Sequence, residues 1–143
     1  MNVELPNSPL QVRMAGRACQ LLVSNLVSNA VKYTSTGSVC VTLRQTGSWA
    51  VLSVQDTGIG IPSEEISHLF TEFFRASNAR ASQTPGTGLG LAAVKALVEG
   101  CGGELELESQ VDQGARFTVR LPLCQAEAIR GAESRLRAEK NVQ

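Results

Sequence analysis

Two glycine-rich segments, DTGIGIP at residues 56–62 and GTGLGL at residues 86–91, flank an apolar box, LFTEFFRA at residues 69–76. A strand-like run, residues 49–55, leads into the first segment, and a helix-like run, residues 88–99, leaves the second. This order restricts the fold. Glycines at such density let backbone approach another group closely, so the elements around them must converge on one place. Upstream, NLVSNAVKYT at residues 25–34 lies inside a longer helical pattern and carries two asparagines one turn apart. Each feature alone has a bland explanation; the four in this order do not.

The remaining pattern is alternately strand-like and helical. Residues 3–5 read as a short strand ended by Pro6 and Pro9, and residues 13–33 as a helix stopped by Thr34-Ser35-Thr36-Gly37. Residues 38–45 and 49–55 are β-rich and joined at Thr46-Gly47-Ser48, as in a hairpin. Ser63, with Glu64 and Glu65 behind Pro62, predicts a short helix reaching about Phe70. Residues 76–86 are small, polar and non-periodic, which predicts a mobile loop. Residues 104–109 and 115–121 predict two more strands, turned at Asp112-Gln113-Gly114. The domain is expected over residues 1–123, with residues 124–143 a polar tail or linker.

Composition narrows the function classes. At 143 residues the chain fits one soluble core and not two. A net charge of +0 offers no basic stripe, so nucleic acid is not an expected partner. The apolar run at residues 21–31 is broken by Ser24, Asn25, Ser28 and Asn29, so no membrane contact is expected from it. Cys19, Cys40, Cys101 and Cys124 form no CxxC pair and read as buried thiols in a reducing cytoplasm. Aromatics are 4% of the chain, so Leu, Val and Ile must build most of the core.

At 100° per residue, Leu22, Leu26, Ala30, Val23 and Val27 share a broad apolar face. Asn25, Asn29 and Lys32 fall in a narrow wedge outside it, with Tyr33 at its edge. A solvated face is the plain alternative, but asparagine competes for backbone hydrogen bonds and weakens a helix interior. Asp56 at a strand end, followed by Gly58 and Gly60, is by itself a turn. GTGLGL opens a helix, and its N–H groups suit phosphate. It is not a dinucleotide fingerprint, because Leu91 stands where that motif needs glycine, and no GK[ST] ending makes a P-loop.

Together the segments resemble the N, G1, F and G2 boxes of the catalytic, ATP-binding domain of sensor histidine kinases, within the wider gyrase, MutL and Hsp90 group. The resemblance runs from about Val3 to Leu123. It implies an α/β sandwich: a mixed sheet of about five strands, three helices on one face and a lid over the nucleotide. The cofactors implied are ATP and Mg2+. Asn29 would supply its carboxamide oxygen to the metal, Asn25 would face the phosphates, and Lys32 would neutralise phosphate charge. Tyr33 would pack on adenine or ribose, and Asp56 would accept from the adenine amino group, favouring ATP over GTP. Gly58, Gly60 and Ile61 would let the base come close. Gly86, Thr87, Gly88, Leu89, Gly90 and Leu91 would cradle phosphate. Arg75, with Arg80 as a second candidate, would reach the γ-phosphate, so the catalytic set is Asn25, Lys32 and Arg75. Phe70 and Phe73 are expected to anchor the lid on the core.

The resemblance also implies what lies elsewhere. His68, the one histidine, sits in the lid and is not followed by an acid, so the phosphate acceptor is expected on a separate dimerisation domain. Relatives carry an acidic residue near the Ala15-Gly16 position and this chain has none, a departure at the domain's edge. The chain is expected to be the cytoplasmic catalytic half of a larger kinase, anchored or not, that signals through a response regulator. Three other readings stay open: an ATPase of the gyrase or MutL type, an anti-sigma-type serine kinase, and a non-catalytic nucleotide sensor.

Overall fold

A computed structural model describes residues 1–81 and 90–124. Five strands form one open sheet in the order β1-β2-β3-β5-β4. They are β1 (Asn2–Glu4), β2 (Val39–Thr46), β3 (Trp49–Asp56), β4 (Glu104–Gln110) and β5 (Gly114–Pro122). β1 runs parallel to β2 and the other pairings are antiparallel, so the sheet is mixed. The helices are α1 (Gly16–Lys32), α2 (Ser77–Ala81) and α3 (Gly90–Gly100), with a 3-10 turn over Ser63–His68.

Strand alternation divides the sheet into two unlike faces. Val39, Val41, Leu52, Val54, Phe117 and Val119 point to the helices and are buried. α1 and α3 cover this side, with Leu22, Leu26, Val94 and Val98 at or below 1% exposure. Burying each such side chain contributes about 1.5–3 kcal/mol. Phe117 is the one aromatic among these core residues, as the aromatic-poor composition requires. The opposite face carries Thr42, Ser53, Gln55 and Thr118, laced by Arg120–Glu106 at 3.0 Å and Arg116–Gln55 at 2.9 Å.

Several local expectations are corrected. α1 begins at Gly16 and not at Arg13, because Val12 pairs with Leu123 and Gln11 accepts from the Cys124 N–H, holding that stretch extended. Val23 lies off the core face and is exposed; Val27 packs only partly, since the sheet is contacted along Leu22, Leu26 and Ala30. The helix opened by Ser63 is a 3-10 turn that stops at His68, short of Phe70. Residues 76–86 do not begin as a loop: Ser77–Ala81 is helical, and Ala76 and Ala79 are buried. The rest of that stretch, with Gly86, Thr87, Gly88 and Leu89, lies outside the described residues, as do residues 125–143 of the tail. The four cysteines are half-buried, not buried.

Candidate nucleotide-binding site

A cavity opens between α1 and α3, floored by the ends of β3 and β5 and walled by the segment after the 3-10 turn. Asn25, Asn29, Lys32 and Tyr33 line it from α1, as the helical spacing predicts. Asp56, Gly60 and Ile61 line it from the first glycine loop, Arg75 from the apolar box, and Gly90 and Leu91 from the start of α3. Ser28, Phe74, Ala115 and Phe117 also line it. Ser28 shares the asparagine wedge and Phe74 the apolar box, so both were within reach of the pattern. Ala115 and Phe117 enter through the pairing of β3 with β5, which no local signal carries. Arg80 is exposed and does not line the cavity.

Asp56 is the chemical centre of the floor. It ends β3 on the helix side of the sheet and is 7% exposed, the one charged or polar residue fully buried among the described residues. Its Oδ1 accepts from the Gly58 N–H at 2.9 Å and the Ala115 N–H at 3.3 Å. Burial raises its pKa above the ordinary aspartate range, and those two backbone N–H groups pull partly the other way. Among the described residues Oδ2 takes no further hydrogen bond, so a donor entering the cavity has an acceptor waiting.

The glycines serve the protein's own packing. A Cβ on Gly58 would strike the Tyr33 carbonyl, and one on Gly60, at φ 67°, would strike the Gln110 carbonyl. Gly58 itself is not among the residues that line the cavity. Close approach of the loop to α1's end and to β4 is the reason for them. Gly90 differs: a Cβ there would lie 2.7 Å from Asn25 Oδ1, a side chain of the cavity.

The apolar box splits in two. Phe70 packs edge-on against Phe117, with ring centroids 6.5 Å apart and planes at 87°, as an anchor should. Phe73 does not: it is 71% exposed and sits at φ 65°, turned out by the left-handed backbone between Glu72 and Phe74. His68 is exposed, its ring 5.7 Å from that of Phe74.

The fold and the cavity have the character of a nucleotide-binding ATPase domain. Residues 15–125 match the family described as histidine kinase-, DNA gyrase B- and HSP90-like ATPases, and the chain belongs to that family. Its curated relatives include the sensor histidine kinase RcsC of Escherichia coli K12, 37% identical over 122 residues, covering 85% of this chain and 13% of RcsC. The circadian input-output histidine kinase CikA of Synechococcus elongatus is 41% identical over 123 residues, covering 85% of this chain and 16% of CikA. The chain thus spans less than a fifth of the length of these two relatives. Among solved structures, the mycobacterial sensor histidine kinase MprB superposes with a TM-score of 0.75 at 34% identity, covering 85% of this chain and 83% of that one. The catalytic domain of histidine kinase ThkA gives 0.70 at 27% identity, covering 84% and 77%. No helix among the described residues is long and apolar enough to cross a membrane.

Proposed function

We propose that residues 1–123 are the ATP-binding catalytic domain of a sensor histidine kinase, and that they present the γ-phosphate of Mg-ATP to a histidine on a separate dimerisation domain of the same parent. The parent would then pass the phosphoryl group to a response regulator on the cytoplasmic side. The observation that carries this reading is Asp56: a buried carboxylate whose Oδ2 takes no hydrogen bond among the described residues, lining the same cavity as Asn25, Asn29 and Lys32. A carboxylate only accepts, adenine offers an amino donor at that edge, and guanine offers a carbonyl there. The proposed orientation sets the base at Asp56 and the phosphates at Asn25, Asn29 and Lys32, which line one cavity. A relative of known structure, ShkA, was solved with AMPPNP, and it is similar over 87% of this chain at 28% identity.

The donor set fits Mg2+ held jointly with phosphate. Among the described residues no cluster of His, Cys, Asp or Glu forms an all-protein metal cage. Neutral carboxamides such as Asn29, with Asn25 beside the phosphates, suit a cation that keeps waters and takes its anionic ligands from the nucleotide. When bound, the metal would offset phosphate charge. Lys32 and Arg75 would add fixed positive charge, and Arg75 would count most as charge shifts between the β- and γ-phosphates. Transfer breaks the γ-phosphorus–oxygen bond, releases ADP and forms a phosphorus–nitrogen bond on the accepting imidazole. This domain would supply position and charge; the acceptor would come from another domain.

The test is radiolabelled ATP with the chain alone, then with the parent's dimerisation domain added in trans. The chain alone should bind ATP without labelling itself. The added domain should acquire an acid-labile phosphohistidine, slowly, because the tether's effective concentration is lost. Stoichiometric acid-labile labelling of the isolated chain, abolished by His68→Ala, would overturn the proposal.

A further inference from the structure

We propose that Asn78 is a positioning residue that ties α2, and with it the segment carrying Arg75, to the adenine-binding loop at Gly60, so that these two parts of the cavity wall respond together. This rests on the reading of the cavity as an adenine-nucleotide site. Asn78 lies in α2, and its Nδ2 donates to the Gly60 carbonyl at 2.8 Å and, more weakly, to the Ile59 carbonyl at 3.4 Å. Its Oδ1 accepts from the Ala79 N–H at 3.0 Å, so both ends of the carboxamide are committed and its orientation is fixed by its partners.

The loop it grips is held by several hydrogen bonds, among them one from the Ile61 N–H to the Ser109 Oγ at 2.9 Å. The Ile59 N–H donates to the Tyr33 carbonyl at 3.1 Å, tying the loop to the end of α1. The Asp112 N–H donates to the Ile59 carbonyl at 2.8 Å, tying it to the β4–β5 turn. These two are backbone bonds to the rigid core. The tie from Asn78 comes from the segment that follows the apolar box. It is a side-chain hydrogen bond from that segment to the loop, beside the apolar contacts of Ala76 and Ala79 with Ile59 and Ile61.

The same segment carries Arg75 into the cavity. Ala76, directly after Arg75, and Ala79 pack with Leu69 against Tyr33, Ile59 and Phe74. Glu65 accepts from the Ser77 N–H at 3.1 Å and from the Ser77 hydroxyl at 3.0 Å, holding the start of α2 on the 3-10 turn. Apolar contact fixes the depth of this segment, but it is non-directional. The Asn78 carboxamide supplies a direction. Glu65 directs the start of α2 toward the 3-10 turn, and Asn78 directs it toward the loop.

Helix stabilisation is the competing role, because Asn78 sits in the first turn of α2. The two roles are separable. An aspartate of the same shape is favoured near a helix N-terminus, yet it cannot donate to the Gly60 carbonyl when ionised.

The experiment is titration calorimetry of AMPPNP with Mg2+ on the full chain, using wild type, Asn78→Ala, Asn78→Asp, Arg75→Ala and the Asn78→Ala/Arg75→Ala pair. Asn78→Ala should weaken binding about tenfold when Arg75 is present and less than about twofold when Arg75 is already alanine, the sign of two residues acting as a unit. Asn78→Asp should lose at least as much as Asn78→Ala. Hydrogen exchange should quicken at residues 77–81 in both variants and stay unchanged in β3 and β5, showing that the fold persists. Additive losses in the double variant, or wild-type affinity in Asn78→Asp, would overturn the clamp while leaving the nucleotide site standing. A wild-type chain that binds no adenine nucleotide would overturn the site itself, and the clamp with it.

Discussion

Asn25 and Gly90 lie close together in the cavity lining: a methyl group on Gly90 would sit 2.7 Å from the Asn25 carboxamide oxygen. The first residue of α3 therefore lies close to a side chain that lines the cavity and that the proposed reading assigns to the phosphates. Gly90→Ala should turn that carboxamide aside and lower Mg-ATP affinity about tenfold, with little change in melting temperature, since a flexible side chain can yield. Gly58→Ala meets the backbone carbonyl of Tyr33 instead. It should cost about 1–3 kcal/mol of stability, in the range of overpacked sites. Thermal melts and titration calorimetry of the two variants should separate a binding defect from a folding defect; equal loss of stability in both would contradict this.

Asp56 connects base choice to pH. Asp56→Asn replaces an acceptor by a group that can donate, so preference for ATP over GTP should shrink by about 1.5–3 kcal/mol, the value of a charge-assisted hydrogen bond. Unchanged relative affinities would reduce Asp56 to a turn residue.

The same variant should be the more stable protein without nucleotide. Burial raises the carboxyl's pKa in the fold, so the native state holds that proton more tightly than the unfolded chain. The resulting stability is complete below the ordinary aspartate range and is lost as pH rises through the raised native value. Melting curves should therefore show Asp56→Asn gaining on wild type as pH rises through that window. A constant difference across it would refute the assignment.

Asn29 should matter to metal-dependent affinity above all. Asn29→Ala should weaken Mg-ATP binding while leaving metal-free ADP binding less affected. Calorimetry with and without Mg2+ checks it, and equal losses in the two conditions would remove Asn29 from the metal.

The two phenylalanines differ in what they hold. Phe70→Ala should cost about 2 kcal/mol, somewhat below a fully buried phenylalanine, because it strips an edge-on partner from Phe117 while remaining half-exposed. Phe73→Gly should leave stability within about 1 kcal/mol of wild type or raise it, since glycine tolerates the left-handed backbone that Phe73 occupies. Denaturant melts of both variants decide the matter.

What the sequence disclosed is what one element alone can encode. A 100° step places Asn25, Asn29 and Lys32 together on α1, and the β-rich run at residues 49–55 marks β3 with Asp56 at its end. Both are properties of one chain segment. What stayed hidden depends on segments far apart. Phe73 shares the composition of Phe70, and only the backbone turn before Phe74 sends it outward. Gly58 and Gly60 announce close approach, but not that a carbonyl of Tyr33 and one of Gln110 are what they approach. Asn78 lies in a stretch of small polar residues, and its partners are carbonyls, which any residue type presents.

The place of Asp56 on β3 has a further consequence. Its Cα partners are Val39 on β2 and Ala115 on β5, and all three face the helices. Moving β3 by one residue against its neighbours would bring Gln55 to the cavity and send the carboxylate to solvent on the far side. On the proposed reading, base discrimination is thus written in strand alignment as much as in the aspartate itself. A substitution at Val39 or Ala115 that lets the alignment drift would read, in any assay, as a change of nucleotide preference in a protein whose every binding residue is intact.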